Sequence, residues 1–190
     1  MANPANTYAS ELITRVTIGP DITPYSIACN GYTDNTNLSL SSYQSGSVIP
    51  FVIYTNKCAG FTFAQNLKGC RIFMDWNDDG DFFDTGEIVY TSYPAYPWTS
   101  IFTAYVTVPQ NVQCTNVRTR IIYARLTPPL VVPQAINPCG MYSYGETEEY
   151  IIPIESCFQV DAGDDLFICE NDSITLNPQI VQGASYTSVS

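Results

Sequence analysis

An all-β fold, an antiparallel β-sandwich, follows from three features of this 190-residue sequence. Short stretches alternate apolar and polar residues, clusters of Gly, Pro, Asn and Asp separate them, and no stretch of useful length carries helical spacing. The 13 prolines and 11 glycines further oppose helices. Residues 12–18 set Leu12, Thr14, Val16 and Ile18 against Ile13, Arg15 and Thr17. Residues 48–54 and 70–76 read as more deeply buried strands. Residues 101–108 place Phe102, Ala104, Val106 and Val108 on one face, and residues 117–126 and 150–154 complete the set. Strands that each offer one face to a shared core pack as two sheets, with a jelly-roll order as one arrangement of them.

The domain boundaries expected from these patterns are an extension over residues 1–6, the sandwich over 7–155 and a partial second β domain over 156–190. The tail has a polar turn at 161–165 and two short strands at 166–169 and 173–176. It is too short to build a core alone.

Eighteen acidic and 7 basic side chains leave a net charge of -11, which opposes binding to nucleic acid or anionic lipid. Histidine is absent, so the usual general base of hydrolases is missing. No nucleophile elbow, zinc motif or phosphate loop replaces it, and the expectation is a protein that is not an enzyme. No apolar run is long enough to span a bilayer, so direct membrane insertion is not expected, and an export signal would lie outside this sequence. Seven cysteines without a Cys-x-x-Cys pair point to disulfides and an oxidising compartment, hence to a secreted or cell-surface location. The odd count leaves one thiol free, paired with another chain or without its partner. The simplest pairings by loop closure are Cys58 with Cys70 and Cys157 with Cys169, while Cys29, Cys114 and Cys139 stay ambiguous.

The sharpest motif is the acidic stretch from Asp75 to Glu87. Asp75, Asn77 and Asp79 followed by Gly80 repeat the first half of an EF-hand loop, in which alternate oxygen donors converge on a hard cation and glycine permits the turn. The second half departs from it, with Gly86 at the twelfth position and the carboxylate one place later. A calcium ion would be held by Asp75, Asn77, Asp79 and Glu87, then Asp84, with the carbonyl of Asp81 contributing. The competing reading is a solvated Asp/Asn/Gly turn, although carboxylates crowded this closely repel one another unless a cation lies among them.

The same stretch is similar to the Asp-x-Asn-x-Asp-Gly-Asp-Phe-x-Asp-x-Gly-Glu signature of GEVED domains, found in secreted multidomain proteins of Bacteroidota. Gly145-Glu146-Thr147-Glu148-Glu149-Tyr150 resembles the motif that names the family, with Thr147 in place of valine and Glu149 in place of aspartate. Gly31-Tyr32-Thr33-Asp34-Asn35-Thr36 resembles the family's Gly-Tyr-x-Asp-x-Thr segment, and Pro138-Cys139-Gly140 sits where Pro-Cys-Gly is frequent. The resemblance covers about residues 7–154, and the tail is similar to the opening strands of immunoglobulin-like or PKD-like repeats. It implies an accessory module of a large surface protein, commonly exported by type IX secretion, acting as an adhesin beside neighbouring repeats of the same polypeptide.

Two further groups stand out. Glu146, Glu148 and Glu149 offer carboxylates of the kind a glycosidase uses, but nothing in the sequence places a sugar cleft. They suggest instead ion pairs from Glu146 and Glu148 to Arg118 or Arg120 on an adjacent strand, or one more calcium ligand. Tyr90, Tyr93, Tyr96 and Trp98, among Pro94 and Pro97, form an aromatic segment that would stack on a surface glycan or anchor a protein ligand. A carbohydrate-binding module attached to a secreted enzyme is therefore the alternative function. The competing reading has these rings cover an open edge of the sandwich.

Overall fold

In the computed structural model the described residues are 10–59, 66–96, 98–110, 112, 115–128, 130–140, 142, 144–155, 160–161 and 179–180. They form two packed sheets, as expected. Strands β1 (Glu11–Ile18), β2 (Asp21–Ile22), β4 (Val48–Lys57) and β7 (Ile101–Thr107) make a four-stranded antiparallel sheet in the order β2-β1-β4-β7. The second sheet has five strands, β3 (Tyr32–Asp34), β5 (Lys68–Met74), β6 (Ile88–Thr91), β8 (Thr115–Arg125) and β9 (Gly145–Ile154), in the order β3-β9-β8-β5-β6. All its pairings are antiparallel except β3, which runs parallel to β9. A two-residue pairing joins β10 (Val160–Asp161) to β11 (Gln179–Ile180). The tail strands expected at 166–169 and 173–176 lie outside the described residues.

The core between the sheets is built from Ile13, Val16, Ile18, Phe51 and Ile53 on one side and Ile72, Met74, Ile121, Tyr150 and Ile152 on the other. Strand β7 obeys strict alternation, with Phe102, Ala104 and Val106 buried and Ile101, Thr103 and Tyr105 exposed. Strand β1 does not. Ile13 faces the same core as Val16 and Ile18, because the register against β4 shifts between Ile13 and Arg15. A bulge inserts one residue and so moves every later side chain to the other face, which the sequence pattern alone places opposite.

Strand β9 begins at Gly145, earlier than the expected start at 150. Gly145 has φ +154, and a Cβ there would stand 2.3 Å from the Tyr123 carbonyl oxygen, so only glycine permits β9 to close on β8. A smaller apolar cluster of Phe73, Phe82, Ile122, Ala124, Ile136 and Tyr142 covers the outer face of the five-stranded sheet. Phe82 comes from the acidic loop, which joins β5 to β6.

The disulfide expectation needs correction. Cys58 bonds to Cys29, with Cα atoms 6.0 Å apart, and Cys70 is a free, buried thiol. Cys70 points into the inter-sheet core beside Ile72 and Met74, whereas Cys58 follows the end of β4 and meets the loop that carries Cys29. The sequence separation of 29 residues makes this closure worth about 3.6 kcal/mol in the chain-entropy account. Cys139 is also free, and Cys114, Cys157 and Cys169 lie outside the described residues.

Candidate metal centre and the carboxylates around it

The acidic loop leaves β5 at Met74 and returns at Ile88. Its base is closed by the Met74 N–H donating to the Glu87 carbonyl at 2.9 Å and by the Asp75 N–H donating to the Arg118 carbonyl at 2.9 Å. Between these ends the chain winds through Asp78, Gly80 and Gly86, all at positive φ. Such a backbone favours Asp, Asn and Gly, which is the composition of the stretch. Short Asx turns fix the winding: Asn77, Asp79 and Asp81 each accept from the N–H two residues on, at 3.2, 3.0 and 2.8 Å.

Two carboxylates anchor the interior of this loop. Asp75 and Glu87 are each only 1% exposed. Asp75 Oδ2 accepts from the Gly80 N–H at 3.1 Å, and Glu87 accepts from the N–H groups of Trp76 and Asp84 at 3.2 Å each. Asp75 Oδ1 is buried and has no hydrogen-bond partner. Burial raises the pKa of both groups, and the neighbouring acids push in the same direction, Asp79 and Asp78 on Asp75 and Asp75 and Asp79 on Glu87. Asn77 Nδ2 donates to Asp79 Oδ2 at 3.1 Å and to Asp84 Oδ2 at 2.6 Å, so the amide brings two carboxylates together as a cation would.

Among the described residues no group of three or more acidic or thiol side chains is placed so that it could hold a metal ion. By chemistry the loop's side chains offer the oxygen donors a hard cation takes, and one buried carboxylate oxygen, Asp75 Oδ1, is unpartnered. Asp75, Asn77, Asp79, Asp84 and Glu87 are the residues that would hold it. The Asp81 side chain caps the Phe83 N–H.

Four separated motifs meet beside this loop. Phe82 packs on Phe73 with ring centroids 6.1 Å apart, and the Arg120 guanidinium lies 5.0 Å over the Phe82 ring. Arg120 donates to Glu149 through Nε at 2.7 Å and through Nη2, and to the Pro138 carbonyl through Nη1. Glu149 also accepts from Arg118 and, at 3.0 Å, from the Tyr32 hydroxyl. Burial opposes the Glu149 charge, but the two guanidiniums outweigh it and hold the carboxyl below its ordinary range. The acidic stretch, the Pro-Cys-Gly turn, the Gly-Tyr-x-Asp segment and the Glu-rich motif thus share one buried ion pair.

Glu146 and Glu148 do not pair with Arg118 or Arg120, contrary to expectation. Alternation along β9 turns them to the inner face while Glu149 points outward. Neither contributes to the acidic loop. Glu146 Oε2 accepts from the Ile13 N–H at 2.6 Å, at the β1 bulge, and Oε1 accepts from the Thr33 hydroxyl at 3.0 Å. Glu148 accepts from the Tyr150 hydroxyl. Burial raises Glu146 to about 7 and Glu148, which also feels Glu146, to about 8. Elsewhere Glu11 carries the ionic load of the inner edge, paired with Lys68 and Arg125.

The aromatic segment divides. Tyr90 packs against the core from β6, whereas Tyr93 is 91% exposed, and Tyr96 and Trp98 stack in the open with centroids 5.0 Å apart. Among the described residues no helix is long and apolar enough to cross a membrane.

Glu146 and Glu148 predict a pH dependence. Their folded pKa values exceed the ordinary 4.5, so they add stability that is full below about pH 4.5 and lost as pH rises through about 7 and about 8. Thermal melts from about pH 5 to about pH 9 are expected to show a falling Tm, and Glu148→Gln to flatten the slope and raise Tm at the alkaline end by roughly 5 °C. A flat wild-type profile, or a variant destabilised equally at every pH, would contradict this assignment.

No curated protein and no solved structure matches the chain. Residues 69–153, which run from β5 to β9 and contain both the acidic loop and the Glu-rich motif, match the family model described as the GEVED domain.

Proposed function

We propose that the chain is a non-catalytic module, stabilised by calcium, of a large secreted or cell-surface protein of the adhesin kind. The observation that carries the reading is the Asp75 carboxylate, buried in the acidic loop with Oδ1 unpartnered. A bound cation would neutralise the loop's carboxylates and fix the β5–β6 connection that places Phe82 under Arg120. Calcium suits a mixed set of carboxylate, amide and carbonyl oxygens on an irregular loop better than magnesium, which requires a near-ideal octahedron. The Cys29–Cys58 disulfide supports an oxidising, extracellular setting. The GEVED match over residues 69–153 supports the accessory-module reading, and the host proposed for it is of the type IX-secreted Bacteroidota kind. Within such a host the sandwich stiffens a filament and displays its loops.

The exposed Tyr96–Trp98 stack favours a second reading, a carbohydrate-binding module carried by a secreted enzyme. Glycan-array binding that Trp98→Ala removes would support it, and an array with no signal dependent on Trp98 would exclude it.

The calcium reading predicts that saturating calcium raises Tm by roughly 5–10 °C over the EDTA-treated protein. Asp75→Ala should abolish the rise while the disulfide and the sheet signal by circular dichroism persist. Equal melting temperatures with calcium and with EDTA would defeat the proposal.

A further inference from the structure

Arg71 lies on the outer face of β5 and is 8% exposed. Its Nε donates to Thr91 Oγ1 at 2.9 Å, and its Nη1 donates to the carbonyl oxygens of Gln134 at 3.0 Å and Ile136 at 2.6 Å. These bonds use three of the five N–H groups of a guanidinium. The two on Nη2 meet no acceptor among the described residues. The other buried cations, Lys68 and Arg120, are each paired with a carboxylate, whereas Arg71 touches only neutral oxygens. Its plane is further held against the Phe73 ring, 5.1 Å from the centroid. The result is a rigid, charged donor whose charge the fold leaves uncompensated.

Arg71 lines a cavity of about 170 Å³ between the acidic loop and the Gln134–Pro138 segment. Phe83 and Ile88 form an apolar rim, 62% and 48% exposed. The volume is well below the roughly 300 Å³ at which drug-sized pockets begin, so an oligosaccharide or a nucleotide does not fit. We infer that this cavity binds a carboxylate borne on a short apolar group, with Nη2 donating to the carboxylate oxygens and Phe83 and Ile88 covering the hydrocarbon. Guanidinium and carboxylate match in charge and in planar geometry, and the buried setting strengthens the bond. The C-terminal residue of a polypeptide and a free short carboxylic acid share this chemistry. The cavity shares Phe82 and Phe83 with the acidic loop, but the donor Arg71 and the rim residue Ile88 belong to the sheet, so the inference does not require a bound cation.

The test is an NMR titration of the folded full chain with N-acetyl-leucine, butyrate and, as the uncharged control, N-acetyl-leucinamide. N-acetyl-leucine or butyrate is expected to shift the Arg71 Nε–H and the Phe83 and Ile88 amides, and the amide is expected to leave them in place. A response to N-acetyl-leucine alone identifies a polypeptide C-terminus, and a response to butyrate alone identifies a free acid. Phe83→Ala should weaken binding about tenfold, the loss of one apolar wall. Arg71→Gln risks the fold because Arg71 braces Gln134 and Ile136. The exposed Ile88→Glu avoids that risk and should abolish binding by placing a like charge at the rim. No shift with either carboxylate, or an equal response to the amide, would overturn the inference.

Discussion

The cost of burying a carboxylate organises this fold. Six acids are buried among the described residues, Glu11, Asp75, Glu87, Glu146, Glu148 and Glu149. An ionised carboxylate without compensation in such a place costs several kcal/mol, so each needs a remedy. Glu11 and Glu149 find cations, and their pairs tie the sheet edges and the outer-face loops together. Glu146 and Glu148 have no cation, burial pushes their pKa up to about 7 and about 8, and backbone and hydroxyl donors bond to their oxygens. Asp75 and Glu87 have neither remedy in full, and the loop around them is built of oxygen donors.

These solutions are coupled through β9. Successive residues on that strand serve opposite faces. Glu146 reaches β1 across the core and accepts from the Ile13 N–H beside the bulge. Glu149 reaches Arg120, and through the Phe82 ring it braces the acidic loop. The Gly-rich opening at Gly145 lets β9 approach β8 closely enough for both. A short motif therefore fixes the relation of the two sheets and the seat of the loop at once. That explains why motifs far apart in the chain come together around one guanidinium.

Much of this was legible in the residues. Alternation located β7, which buries one regular face, and apolar runs located most of β4, β5 and β8, of which β5 is buried on both faces. The acidic loop was placed between two strands by its composition and by the absence of helical flanks. Four things were not legible. The β1 bulge shifts the register at Thr14, and nothing in residues 12–18 marks it except that both Leu12 and Ile13 are apolar. The assignment of Glu149, rather than Glu146 or Glu148, to the arginines depends on which face β9 turns inward, and a run of glutamates hides that phase. Cys58 was matched to Cys70 by loop length, yet strand phase turns Cys70 into the core and leaves Cys29 beside Cys58. The role of Arg71 is hidden because a lone arginine in a strand carries no sequence signal of an unpaired charge.

The most direct measurement is long-wavelength anomalous diffraction from crystals grown with calcium. A peak enclosed by Asp75, Asp79, Asp84 and Glu87, with the Asn77 amide turned to present oxygen, is the result this account requires. Density showing that loop free of any ion, with Asp75 still buried and unpaired, would contradict it.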